Sequence, residues 1–175
     1  MLNLPVPLPI AVLLLCAVLA AWTDVLRRKI PNIVVLPGIA AAMFASYHEF
    51  GWSSGLVPSF YGLAVGFILS LPMYALRALG AGDVKLLLLV GAATGTVGLI
   101  EIASIAVVLA GLIGLAMSLL TGKFRVFIAN LQIGAMAIAS RDFKVATSVS
   151  GHTAYRVPFA LAVAMSVVIW LFYLW

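Results

Sequence analysis

Two aspartates stand at the ends of long apolar segments, close to basic residues. The chain of 175 residues has five acidic side chains. Three of them, Glu49, Glu101 and Asp142, fall in predicted connections, where water would solvate the carboxylate. Asp24 instead ends the first apolar segment, and Asp83 begins the fourth. Because a carboxylate at the edge of the hydrocarbon region is costly, it usually has a partner or a function.

A pair of aspartates can hydrolyse a peptide bond. Two neighbouring carboxyl groups cannot both ionise easily, so their proton affinities separate. The protonated member polarises the scissile carbonyl, and the ionised member takes a proton from the attacking water. We expect Asp24 and Asp83 to face each other across a water-filled pocket and to act in this way.

Two other roles fit the same residues. Asp24 would form an ion pair with Arg27 or Arg28, one turn further along a helix, and Asp83 would pair with Lys85. Alternatively, the two aspartates would carry protons in a small transporter or channel. Transporters favour sites at the mid-plane of the bilayer, however, whereas both aspartates are predicted at its edge.

Other catalytic groups are scarce in this sequence. The two histidines, His48 and His152, are predicted on opposite sides of the membrane, which argues against a histidine metal cluster or a Ser–His relay. The single cysteine, Cys16, lies within an apolar segment and is expected to be a small packed or lipid-facing residue. The sequence therefore indicates neither a metal nor a cofactor.

Composition indicates that the aspartates are held by membrane helices. Hydrophobic residues make up 65% of the chain and charged residues 9%, and the mean hydropathy is +1.25. A soluble domain is about half apolar and a quarter charged. The net charge of +5 does not indicate nucleic-acid binding, because the ten Lys and Arg lie in short clusters beside apolar segments. We predict an all-α, polytopic membrane protein with a single membrane-embedded domain, residues 1–175.

The apolar segments predict six transmembrane helices with both termini outside. Their approximate bounds are 7–23, 33–47, 56–76, 84–100, 102–121 and 157–175. In this arrangement all ten Lys and Arg lie on the inner side, as the positive-inside rule requires. Residues 124–140 predict an amphipathic helix in the inner interface, with a crossing or re-entrant segment as the alternative.

Small residues predict where helices approach closely. Gly62-x-x-x-Gly66 and Gly91-x-x-x-Gly95 give two of the predicted spans narrow faces for helix packing.

The residues around the two aspartates resemble the motifs of type IV prepilin peptidases. Residues 24–32, Asp-Val-Leu-Arg-Arg-Lys-Ile-Pro-Asn, are similar to the first aspartate motif of that family. Residues 80–87, Gly-Ala-Gly-Asp-Val-Lys-Leu-Leu, look like the GxGD motif followed by a lysine. Residues 155–162, Tyr-Arg-Val-Pro-Phe-Ala-Leu-Ala, are similar to the proline-containing start of the last span.

This resemblance implies a GxGD aspartic protease of the bacterial inner membrane. Such enzymes remove the leader of prepilins or pseudopilins at the cytoplasmic boundary, and the motifs assign the catalytic pair to Asp24 and Asp83. Gly80 and Gly82 are expected to make room for a neighbouring helix or an extended peptide. Lys85 is expected either to favour ionisation of Asp83 or to anchor the helix at the headgroups.

The size of the chain narrows the resemblance. Larger members carry a cytoplasmic zinc-binding insert with paired cysteines, associated with N-methylation of the new terminus. This chain has no such insert and only Cys16, so we do not expect methyl transfer. It looks like the small CpaA/TadV-like branch that serves Flp, or tight-adherence, pili, and the archaeal preflagellin peptidases are a related alternative. A non-catalytic scaffold of pilus assembly is a further alternative.

Overall fold

The protein is helical throughout the residues that the structure describes. The computed structural model describes residues 6–27, 30–75, 79–122, 128 and 159–174, and no strand occurs among them. The helices are α1 (Leu8–Arg27), α2 (Asn32–Gly51), α3 (Val57–Ala75), α4 (Ala81–Leu120) and α5 (Phe159–Leu174), with a π-helical turn (Trp52–Leu56) between α2 and α3. The predicted all-α class is confirmed for these ranges. The predicted interfacial helix at 124–140 lies outside them, apart from Ile128.

Three helical stretches are long and apolar enough to cross a membrane. They are Leu8–Arg27, Asn32–Ala75 and Ala81–Leu120, and the apolar part of α5, Phe159–Tyr173, is shorter. Many large apolar side chains on these helices are exposed, among them Ile33, Phe44 and Val97. In a soluble protein such a surface would aggregate, whereas hydrocarbon solvates it.

Gly95 divides α4 into two antiparallel arms. Its φ of 69° and ψ of −169° are open to glycine alone. A Cβ at Gly66 of α3 would lie 3.2 Å from the Leu87 carbonyl oxygen and 3.4 Å from Leu99 Cδ2. In one straight helix Leu87 and Leu99 would be about 18 Å apart, so the chain folds back between them. We call residues 81–94 arm α4a and residues 96–120 arm α4b.

The predicted break near Glu101 is therefore wrong. Glu101 lies inside α4b, and the chain reverses at Gly95. The charge of Glu101 indicated a connection, but the reversal needs a backbone conformation that only glycine adopts at low cost.

Gly51 produces a similar reversal between α2 and α3. It has a φ of 78° and a ψ of −169°, almost the values of Gly95. Beyond it, Gly55 packs directly on the backbone carbonyl of Ser46. These residues are nine positions apart and would be separated by about 13 Å in a straight helix. A Cβ at Gly95 would lie 3.6 Å from Pro58, so the two reversals occupy one end of the molecule, here called the glycine end.

Backbone contact joins α3 to α4a. A Cβ on Gly62 or on Gly91 would meet the carbonyl group of the other, and Gly62 also faces the Gly95 backbone. The packing role predicted for both GxxxG motifs is confirmed. Two helices this close gain dispersion contacts along their backbones, which side chains larger than hydrogen would prevent.

The core lies where α1, α2, α4 and α5 meet. Its fully buried side chains include Leu13, Val35, Leu89, Ile102 and Val163. α4 contacts each of the other four described helices, so it is the central element. At the glycine end, the Leu8 N–H donates to Glu49 Oε2 over 2.7 Å and joins α1 to α2. The opposite end, here called the aspartate end, holds the last turn of α1 and the starts of α2, α4 and α5.

Candidate active site

Asp24 continues the buried face of α1. Leu13, Ala17 and Ala20 are fully buried, and Asp24 follows them at the spacing of four, three and four residues that keeps one helix face. Asp24 is half-buried. The face that packs into the core thus ends in a carboxylate at the aspartate end.

The carboxylate of Asp24 contacts the first turn of α5. Its Oδ2 accepts a hydrogen bond from the Ala160 N–H at 3.3 Å. Ala160 is fully buried and is the second residue of α5, where backbone N–H groups have no partner within the helix. The positive end of the helix dipole also favours a carboxylate at this place.

Asp83 occupies the first turn of α4. Its Oδ2 accepts the Gly80 N–H at 2.9 Å, as an acidic residue at the third helical position commonly does. Leu86, Leu87 and Val90 are buried three, four and seven residues further on. Asp83 therefore continues the buried face of α4a, as Asp24 continues that of α1.

Two contacts join the segment after Asp24 to the start of α4. A Cβ at Gly82 would lie 2.9 Å from the Ile30 Cβ, so this glycine lets α4 approach Ile30. Three residues beyond, Lys85 Nζ donates to Asn32 Oδ1 at 2.7 Å. The two sequence motifs that contain the aspartates are in direct contact, and α1 also touches α4.

The remaining residues predicted for the site have distinct positions. Gly80 precedes α4 and donates its N–H to Asp83, and its own φ of −79° is ordinary. Lys85 lies two positions after Asp83, and residues so spaced point to different sides of a helix. Its ammonium group lies on Asn32, a partner that neither predicted role for Lys85 included.

Two residues that contribute to the candidate site were not predicted from the sequence. Asn32 was not predicted as a partner of Lys85, although the two-residue offset of Lys85 from Asp83 already indicated that this lysine needs another partner. Ala160 contributes a backbone N–H, which no side-chain pattern reveals.

Cys16 and a cavity at the glycine end lie apart from this site. Cys16 is buried, and its sulfur lies 2.7 Å from the place of a Cβ on Gly38, so it is a packing residue between α1 and α2. A cavity of about 130 Å³ lies at the glycine end, between Ser46, Pro58 and Gly95. Within the described ranges, no three His, Cys, Asp or Glu are grouped as metal ligands.

Comparison with known families identifies the chain at the level of family. Residues 11–119, which include both aspartates, match the type IV leader peptidase family. The chain belongs to this family. No curated protein and no solved structure gave a significant match. Membership of the leader peptidase family implies peptidase activity. The match begins within the first turn of α1 and ends within the last turn of α4b, so it does not include α5.

Proposed function

We propose that this leader peptidase removes the N-terminal leader from type IV prepilins, of the Flp type, with Asp24 and Asp83 as its catalytic pair. One observation carries the proposal: the buried faces of α1 and α4a both end in an aspartate, at the same end of the molecule. Gly80, Gly82 and Lys85 support the pair by shaping the start of α4.

The reaction needs two proton transfers. The ionised carboxylate takes a proton from water as the water oxygen bonds to the scissile carbonyl carbon. The protonated carboxyl meanwhile donates a hydrogen bond to the carbonyl oxygen, where negative charge develops. When the tetrahedral intermediate collapses, the C–N bond breaks and a carboxyl proton moves to the leaving nitrogen. The products are the leader with a new carboxyl group and the mature pilin with a free amino group.

Helix starts make ionised carboxylates tolerable at this depth. The carboxylate of Asp24 lies at the start of α5, and Asp83 is in the first turn of α4. Backbone N–H groups and the positive dipole ends offset part of the desolvation cost of a carboxylate, each contributing about 0.3–1 kcal/mol. The pair can therefore stand next to hydrocarbon and still hold one negative charge.

The proposed topology has six spans with both termini outside, in the bacterial inner membrane. The reversals at Gly51 and Gly95 support it, because they divide the two longest helical stretches into antiparallel pairs. The aspartate end would face the cytoplasm, since Arg27 and Lys85 lie at that end and the positive-inside rule puts such residues there. A prepilin would be cut where its hydrophobic helix emerges on that side.

The test replaces each aspartate by asparagine and follows cleavage of a Flp-type prepilin. Asparagine still offers an oxygen to the Ala160 or Gly80 N–H, so the helix starts are retained while acid–base chemistry is lost. We expect Asp24→Asn and Asp83→Asn each to lower the cleavage rate by about 10²- to 10⁴-fold. Mass spectrometry of the pilin identifies the new N-terminus, which should carry no added methyl group.

Accumulation of each variant in membranes is the control for folding. Normal prepilin processing by either variant would exclude the aspartic pair. No cleavage by the unsubstituted protein, with pilus assembly retained in both variants, would favour the scaffold, in which the two aspartates only cap helices. Proton flux in reconstituted vesicles, without cleavage, would favour the transporter.

A further inference from the structure

The side chains of Lys85 and Asn32 form a hydrogen bond between two helices, and the two residues belong to different motifs. Lys85 is in the second turn of α4, and Asn32 is the first residue of α2. The Nζ–Oδ1 distance of 2.7 Å is short for a hydrogen bond, as expected when the donor is an ammonium group. Asn32 is exposed and Lys85 is half-buried.

A second contact, independent of Lys85, joins the same two places. Gly82 leaves just enough room for Ile30, whose Cβ, Cγ1 and Cδ1 all lie within 3.3 Å of the place of a Cβ. Ile30 is two residues before Asn32, and Gly82 is three before Lys85. A steric stop and a polar bond thus hold one short segment, residues 30–32, against the start of α4.

This segment follows, in the chain, the helix that carries Asp24, and it leads into α2. Ile30 comes six residues after Asp24, and Gly82 directly precedes Asp83. Any sliding of α4 along residues 30–32 therefore changes the position of Asp83 relative to Asp24. Since proton transfer requires hydrogen-bond distances, a displacement of about 1 Å costs about a hundredfold in rate.

We propose that Lys85 is a positioning residue that acts through Asn32. Its ammonium group holds the start of α4 on residues 30–32 and so sets the geometry of the Asp24–Asp83 pair, without touching the substrate. This inference rests on the proposed peptidase function. It differs from both roles expected for Lys85 from the sequence, ionisation of Asp83 and anchoring at the headgroups, because each would be independent of Asn32.

A double-mutant cycle on prepilin cleavage tests the proposal. The variants are Lys85→Met, which keeps an unbranched apolar stem, Asn32→Leu, and both together. We expect each single variant to lower kcat about 10- to 100-fold with KM within about twofold. The double variant should be no slower than the slower single variant, because one bond is lost in all three. Lys85→Arg keeps a donor and should retain more activity than Lys85→Met.

Three results would overturn the proposal. They are multiplicative losses in the double variant, an unchanged kcat in Asn32→Leu, and a raised KM at unchanged kcat in Lys85→Met. If Lys85→Met does not accumulate in membranes, Asn32→Asp and Asn32→Leu decide: aspartate should retain activity and leucine should not, and equal activity would contradict the bond. Asp24→Asn is assayed in parallel, so that cleavage by that variant is read as failure of the peptidase function itself.

Discussion

At the level of single residues, the two aspartates have structural partners as well as a proposed reaction. Asp24 accepts a hydrogen bond from the start of α5, and Asp83 accepts one from the residue before α4. Loss of either side chain would therefore lower activity in a scaffold as well as in an enzyme. Substitutions that keep the hydrogen bond and change only the chemistry separate the two roles.

Asp83→Glu separates the two roles by a different change. It keeps an ionisable carboxyl group, which asparagine lacks, but alters the position of that group. Glutamate is the usual partner of the N-cap N–H from the third helical position, so the start of α4 is kept. The carboxyl group, however, moves outward by one methylene. We expect thermal stability in detergent to stay within about 0.5 kcal/mol of the wild type, while cleavage falls about a hundredfold.

Full activity in Asp83→Glu would contradict the requirement for close geometry. A large loss of stability would show that the helix start does not tolerate the longer side chain, and the asparagine variants would then carry the test.

Glu101 and Trp170 form a second informative pair. The Trp170 Nε1–H donates to Glu101 Oε2 at 2.6 Å, and the indole is 8% exposed. This bond joins α4b to α5. Glu101→Leu removes the acceptor from a largely buried N–H and should destabilise the protein by about 1–3 kcal/mol. Glu101→Gln keeps an acceptor and should lose less.

Thermal unfolding in detergent, followed by tryptophan fluorescence, measures both variants. Equal stability of Glu101→Leu and the wild type would show that the N–H finds another acceptor. Prepilin cleavage by Glu101→Gln should remain near the wild-type rate, because this pair lies away from the aspartate end.

At the level of helices, close packing of α3 on α4a depends on the absence of side chains. Gly62 and Gly91 are in backbone contact, whereas Gly111 on α4b has no atom within 4 Å of the place of a Cβ. Gly91→Ala should lower stability by about 1–3 kcal/mol through overpacking. Gly111→Ala is the matched control on the same helix and should be neutral or stabilising by up to about 1 kcal/mol.

The thermal midpoint in detergent distinguishes the two alanine variants. If Gly91→Ala were as stable as Gly111→Ala, α3 and α4a would not be held at backbone distance.

The glycine packing, the helices and a connection around Gly51 could be predicted from the sequence, whereas the position of the reversal at Gly95 and the polar partners could not. GxxxG spacing specifies a small face whatever lies opposite, so Gly62 and Gly91 were predicted correctly. The reversal at Gly95 was missed because hydropathy continues unbroken across it and a positive φ leaves no mark beyond glycine itself. Glu101 was expected to be solvated by water, but its carboxylate accepts a hydrogen bond from the indole of Trp170, 69 residues away. Such pairings depend on how helices pack, which local patterns do not specify.

At the level of the whole molecule, the proposed topology predicts which positions water reaches from outside. Ser53 lies exposed in the turn after Gly51, and Thr121 is exposed at the end of α4b. Native Cys16 is buried and should remain unlabelled. In intact cells, a membrane-impermeant maleimide should label Ser53→Cys but not Thr121→Cys, and both should label after permeabilisation.

Labelling of Thr121→Cys in intact cells, or labelling of Ser53→Cys only after permeabilisation, would contradict the six-span arrangement. The unsubstituted protein serves as the background control in each condition.

The bond between Asp24 and α5 also has a consequence for biosynthesis. Its two residues are 136 positions apart, and α5 is the last described helix to be made. At about 5–20 residues per second, on the order of ten seconds separate their synthesis. During this interval the carboxylate of Asp24 lacks the Ala160 N–H that will donate a hydrogen bond to it. The nascent chain therefore inserts α1 with an incomplete site, and a ribosome-bound intermediate that ends before Phe159 should be unable to process a prepilin.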